Sequence, residues 1–144
     1  MGVEKVVYRT SATAHGGRDG ESRLDDGGLG VKLGVPKEMG GGGQGNNPEQ
    51  LFALGYSACF LGAMRFAASQ KKDGPQVAAD ASVQAVVGIG PRSEGGFGID
   101  VELKINLPGL SRQQAEALAD EAHNKICPYS NATRGNVPVR LTIV

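Results

Sequence analysis

At 144 residues and 14.9 kDa, with 40% hydrophobic residues, the chain is the size of one domain, 1–144, with enough apolar content for a core. Fifteen basic and fifteen acidic residues cancel, which leaves no electrostatic footprint for nucleic acid or an anionic membrane surface. The start, Met1-Gly2-Val3-Glu4-Lys5, has no basic segment leading into an apolar one, so the expected compartment is the cytoplasm, where two cysteines are redox-active, metal-binding or incidental rather than a permanent bridge.

In chain order, Lys5 to Ala14 is rich in Val, Tyr and Thr and predicts a strand, ended by His15-Gly16-Gly17. Arg18-Asp19-Gly20 falls in or just beyond that turn. Glu21 to Asp25 and Gly30 to Leu33 predict two short strands around Asp26-Gly27-Gly28, and the three together read as a meander. Pro36 to Asn47 holds Gly40-Gly41-Gly42-Gly43-Gln44-Gly45 ahead of a helix start. A phosphate loop would need Lys followed by Ser or Thr there, and Asn46-Asn47-Pro48-Glu49 puts a carboxylate where the anion would sit. A mobile loop beside a site is the better reading.

From Pro48 the chain predicts a helix that is apolar all the way round. Asn47 suits the N-cap, Pro48 the first helical position and Glu49 the positive end of the dipole, and no further charge comes before Arg65. Such a helix must be buried on every side, in protein rather than lipid because the uncharged run from Gln50 to Met64 is shorter than the roughly 20 residues of a bilayer span. One small domain cannot easily enclose it, so a second copy is expected to help cover it as an obligate homodimer.

Gln70 to Pro75 is a stop signal. Val77 to Ile89 and Phe97 to Leu107 then alternate with period two, a hairpin across the loop Pro91 to Gly96 whose apolar face can cover the helix. Ser111-Arg112-Gln113-Gln114 is a capping box, and Ala115, Leu118, Ala119, Ala122 and Ile126 form the stripe of an amphipathic helix ended by Cys127-Pro128. Tyr129 to Asn136 reads as a turn-rich connection before a last strand through Val137, Val139, Leu141 and Ile143. Strands, helix, strands, helix, strand make an α+β fold.

Cys59 sits in the middle of the apolar helix, where the dipole gives little help and apolar walls raise a thiol pKa. Left alone it is an inert core residue. A cation from elsewhere in the fold would activate it, and spacing alone does not choose among eight arginines. Zinc held by Cys59, Cys127, His15 and His123 is the metal alternative, but no pair has zinc-motif spacing, and the two histidines read as solvated turn and helix-face residues. Cys127 follows a helix C-terminus, whose negative end disfavours a thiolate. A non-enzymatic protein with a lipid pocket along the helix also fits these residues.

The segments Gly17-Arg18-Asp19-Gly20, Asn47-Pro48-Glu49-Gln50-Leu51-Phe52-Ala53-Leu54-Gly55-Tyr56-Ser57-Ala58-Cys59-Phe60 and Cys127-Pro128-Tyr129-Ser130-Asn131-Ala132-Thr133-Arg134-Gly135-Asn136 closely resemble the organic hydroperoxide resistance branch of the Ohr/OsmC superfamily, rather than its osmotically induced sister branch. The resemblance implies an OsmC-like α+β fold, an intertwined homodimer with long central helices wrapped by antiparallel sheets. It also implies a thiol peroxidase acting on organic hydroperoxides, with no cofactor or metal. By position, Cys59 would be the peroxidatic thiol, Cys127 the resolving thiol, and Arg18 and Glu49 the charged pair around Cys59. The reductant implied is a dithiol on a dihydrolipoyl protein.

Overall fold

The computed structural model describes residues 2–144, which fall into two compact units, the first running to Pro48 and the second from Glu49 to Val144. In the first unit, β1 (Ala12–His15), β2 (Glu21–Leu24) and β3 (Gly30–Lys32) form the expected antiparallel meander in the order β1-β2-β3. The strand predicted over Lys5 to Ala14 is shorter than its composition suggests. Pairing stops at Ala12 opposite Leu24, because the β2 chain then turns: Asp26 Oδ1 accepts the Gly28 N–H at 2.7 Å, and Asp25 Oδ1 accepts the Thr13 hydroxyl at 2.8 Å. Val6, Val7 and Tyr8, ahead of that point, are exposed.

Between β1 and β2 a single 3-10 turn, Gly17–Asp19, carries Arg18. It is entered through Gly16 and Gly17 at φ 75° and 61°, values that glycine reaches without a Cβ penalty. The glycine-rich stretch after β3 is tied back on itself, with Gly41 N–H donating to Pro36 O, Gly43 N–H to Val35 O and Gly34 N–H to Asn46 O. A Cβ at Gly34 would overlap the Gln44 carbonyl oxygen, so that glycine serves close packing.

The second unit begins with α1 (Pro48–Ser69), a 22-residue helix long and apolar enough by composition to cross a membrane. Tyr56, Phe60, Ala63, Met64, Ala67 and Ala68 are buried, sharing a core with Val101, Leu103 and Ile105 and with Ala115, Leu118 and Ala119. The expected burial on every side is not reached within one chain, since Leu54 and Phe66 are 67% and 55% exposed.

After α1 the chain runs back along the helix end. Arg65 donates to the carbonyls of Val77 and Ala78 at 3.2 and 3.0 Å, and Gln76 Nε2 to those of Ala68, Lys71 and Gly74. Those tethers explain why the strand expected from Val77 starts only at Ser82. The hairpin then forms as predicted, β4 (Ser82–Pro91) against β5 (Phe97–Asn106), in register from Ser82 opposite Asn106 to Pro91 opposite Phe97. Helix α2 (Arg112–Glu121) opens with the expected capping box, Ser111 Oγ accepting from Gln114 N–H at 3.1 Å and Gln114 Oε1 from Ser111 N–H at 3.0 Å. Strand β6 (Val139–Ile143) joins the sheet parallel to β5, giving the order β4-β5-β6. The architecture is α+β, as expected.

Between α2 and β6 the backbone departs from expectation. Ala122–Ile126 is one π-helical turn, closed by Cys127 N–H to Ala122 O at 2.8 Å, and Pro128–Thr133 is a short helix, α3. Pro-Tyr-Ser-Asn reads as a turn because Ser and Asn compete with the helical backbone. Six residues do not hold a helix unaided. Here they are pinned from outside by Arg134, which donates to His123 O and Asn131 Oδ1, both at 2.6 Å, and from within by Thr133 Oγ1, which donates to Ser130 O at 3.2 Å.

Candidate active site

The second unit brings its two cysteines together. Cys59, half-buried at mid-helix on α1, and Cys127, fully buried at the start of α3, are both free thiols with their sulfurs 3.4 Å apart. A disulfide needs about 2 Å, so the gap is closed by little more than 1 Å of movement. Cys127 does not simply follow a helix C-terminus, as expected: it ends the π turn, but with φ −64° and ψ 120° it is also the N-cap residue of α3. The two helix ends therefore oppose each other at that sulfur.

Burial raises the Cys59 thiol, the Tyr129 backbone N–H pulls it back, and the adjacent Cys127 adds a smaller upward push, the balance standing at about 11. A thiol in that range is almost wholly protonated at neutral pH, so it must gain stabilisation of its thiolate before it can act as a nucleophile.

The ring of the same Tyr129 packs on α1. Gly55 and Cys59 lie i,i+4 on one face of α1. A Cβ at Gly55 would stand 2.6 Å from Tyr129 Oη and 3.1 Å from two of its ring carbons. The ring therefore rests on bare backbone, with the Phe52 and Tyr56 ring centroids each 5.6 Å away. Phe52 meets Tyr56 edge-on at 5.7 Å. The pattern of apolar residues announces such rings only as core.

A second feature escaped the sequence. Tyr56 Oη lies 2.7 Å from Ser130 Oγ and 3.5 Å from Thr133 Oγ1, and Ser130 Oγ is 2.8 Å from His123 Nδ1. His123 is thus a half-buried member of a polar chain rather than a solvated helix-face residue. Burial, and then the Arg134 charge, hold its pKa below the ordinary value, against a smaller opposite pull from Asp120. His15 is exposed on β1.

Arg18 stands half-buried in the 3-10 turn of the first unit, and Glu49 half-buried in the first turn of α1. Glu49 and Cys59 are ten residues apart on one continuous helix, about 15 Å along its axis. That distance exceeds what a glutamate side chain can span.

Residues 41–142, a stretch containing Glu49 and both cysteines, match the family described as OsmC-like protein. An organic hydroperoxide resistance protein of Xanthomonas axonopodis pv. citri is 52% identical over 141 residues, covering 97% of this chain and 96% of its own. The chain belongs to the OsmC-like family, in its organic hydroperoxide resistance branch. Among solved structures, an organic hydroperoxide resistance protein of Legionella pneumophila aligns with TM-score 0.89 at 45% identity, over 96% of this chain and 98% of that one. The corresponding protein OhrB of Bacillus subtilis aligns with TM-score 0.86 at 40% identity, over 96% and 100%. Arg18 lies outside the stretch matched to the family but within the span of these OsmC-like relatives.

Proposed function

We propose that this chain is a cysteine-based peroxidase that reduces organic hydroperoxides to alcohols, in defence against oxidative stress. One observation carries the reading: two free thiols, one half-buried and one fully buried, 3.4 Å apart with nothing but a small movement between them and a disulfide. The names of the relatives supply the substrate class. The Cys59 thiolate attacks the peroxide oxygen that is not bonded to carbon. The O–O bond breaks, the alkoxide leaves as alcohol after taking a proton, and Cys59 becomes a sulfenic acid. The Cys127 sulfur then attacks the Cys59 sulfur, the S–O bond breaks, and hydroxide leaves with the Cys127 proton as water. A dithiol returns both cysteines to thiols, for which a dihydrolipoyl protein in the cytoplasm is our reading. The thiols carry the electrons, so no cofactor or metal is called for.

Arg18 is the cation assigned to Cys59. A guanidinium stays charged, favours the thiolate and can hold the hydroperoxide oxygen, and Glu49 orients it through charge-assisted hydrogen bonds. The axial separation of Glu49 from Cys59 supports a pair supplied by another copy. An Arg18–Glu49 pair at the start of one copy's α1 serves Cys59 of a second copy, so residues 1–144 act as one functional domain within a homodimer. The exposed Leu54 and Phe66 flank of α1 is what that copy covers. Sedimentation at the mass of one chain would remove this part of the reading.

Peroxide titration with counted thiols tests the chemistry. Cys59→Ser should abolish turnover, whereas Cys127→Ser should consume about one equivalent of peroxide per chain and stop with oxygen added on Cys59. Both thiols surviving an equivalent of tert-butyl hydroperoxide in the unsubstituted protein would sink the peroxidase reading. Oxidation elsewhere with Cys59 untouched would sink the residue assignment.

A further inference from the structure

A tyrosine hydroxyl in a core is held there for a reason, because phenylalanine would fill nearly the same space without an oxygen to desolvate. Tyr56 is fully buried, and its hydroxyl meets Ser130 Oγ, also fully buried, at 2.7 Å. The two residues are 74 apart in sequence. Each lies three residues from a cysteine: Tyr56 precedes Cys59 on α1, and Ser130 follows Cys127 on α3. This hydrogen bond therefore links the helix that carries one sulfur to the helix that begins at the other.

Resting on the peroxidase reading, we propose that Tyr56 is a positioning residue for disulfide formation, its hydroxyl latching α3 to α1 through Ser130 so that Cys127 stays within reach of the Cys59 sulfenic acid. The step served is attack of the Cys127 sulfur on the Cys59 sulfur, with the S–S bond formed, the S–O bond broken and water released. Its rate depends on how much of the time the two sulfurs are near contact distance. Helix α3 is too short to hold Cys127 in place by itself. His123 Nδ1 at 2.8 Å holds the far side of Ser130 Oγ and Thr133 Oγ1 lies 3.5 Å from Tyr56 Oη, so the latch is embedded in a chain that fixes its direction. In the proposed mechanism the attack of Cys59 on peroxide calls on Arg18 and Glu49 rather than on these side chains.

The latch therefore separates the two chemical steps. With tert-butyl hydroperoxide as probe and the full chain in its native assembly, rapid quench and mass spectrometry follow Cys59 oxidation and disulfide formation in Tyr56→Phe. Loss of one buried hydrogen bond predicts a first step within about twofold of the unsubstituted rate and disulfide formation about tenfold slower. The longer-lived sulfenic acid then meets more peroxide, and the share of Cys59 driven to sulfinic acid rises by about the same factor. Ser130→Ala, which removes the partner from the other side, should reproduce the split, and the double variant should be no slower than either single one. Disulfide formation and sulfinic share unchanged in both variants would overturn the proposal, as would equal slowing of both steps, the mark of a merely structural loss. Failure of the unsubstituted protein to oxidise Cys59 would instead overturn the underlying peroxidase reading, so the two failures are distinct.

Discussion

Replacing Arg18 by alanine should raise the Cys59 pKa and slow its oxidation without comparable loss of stability. Burial and Cys127 put the thiol at about 11, which leaves about one thiolate in ten thousand at neutral pH. An opposite charge within hydrogen-bonding range lowers a pKa by about one to three units, so at two units the thiolate is about a hundredfold more abundant. Part of that gain is lost, because a less basic thiolate is a weaker nucleophile with a Brønsted slope of about 0.4–0.5, which returns nearly tenfold. The charge alone is then worth about tenfold, and loss of a donor to the departing oxygen adds about a hundredfold or more on the scale of oxyanion donors. The assay has two parts: iodoacetamide alkylation of Cys59 against pH in a Cys127→Ser background, and stopped-flow oxidation by tert-butyl hydroperoxide. Arg18→Lys should recover much of the alkylation midpoint but little of the rate, since an ammonium lacks the planar fork. An unchanged midpoint together with an unchanged rate in Arg18→Ala would refute the assignment.

Stability should fall as the pH drops from about 6.5, the unfolded value for histidine, through the lower folded value of His123, because below it the unfolded chain binds the extra proton. Urea unfolding at pH 7.5 and 5 reads this, and His123→Asn should flatten that part of the profile. For substrates, kcat/KM should climb from hydrogen peroxide to alkyl hydroperoxides, with about 0.8 kcal/mol for each methylene buried against the apolar α1 residues, and a flat series would count against an apolar site. Mixing inactive Cys59→Ser with the much slowed Arg18→Ala and letting chains exchange should restore turnover, since one mixed arrangement joins an intact thiol to an intact arginine. Mixtures that stay silent while exchange is demonstrated would place the whole site within one chain.

What the sequence made legible was local. Helix α1, the β4–β5 hairpin and the Ser111 capping box follow from periodicity and cap chemistry over adjacent residues, and all three are present. Helix α3 was not legible, because Pro128 to Thr133 has turn composition and is helical only through Arg134, Ser130 and their partners. The short β1 was missed for the complementary reason: Lys5 to Ser11 has strand composition, but its neighbour turns away at Asp25. Both cysteines stood out as residue types, yet no spacing rule places residue 127 against residue 59. Gly55 carries no signal of its own in the helix pattern. Its purpose shows only when the Tyr129 ring is found lying where its side chain would be.

The high pKa of Cys59 and the exposed flank of α1 bear on one another. A half-buried thiol at about 11 next to a second thiol is a poor nucleophile, and the carboxylate assigned to orient its activating cation lies about 15 Å away along the same helix. Within one chain, then, the cysteines are well placed for a disulfide but poorly placed for peroxide. The surface that would bring a second Arg18–Glu49 pair is the one that leaves Leu54 and Phe66 in water. Burying two such side chains is worth about 1.5–3 kcal/mol each, so the association that removes this apolar surface can also supply the charge that the thiol lacks. If the proposed dimer supplies that charge, assembly and activation would be a single equilibrium, and activity should scale with the dimer population when the protein is diluted below its dissociation constant. On that account the apolar flank is part of the catalytic apparatus. A newly made single chain would hold its thiols quiet until it meets the copy that makes one of them reactive.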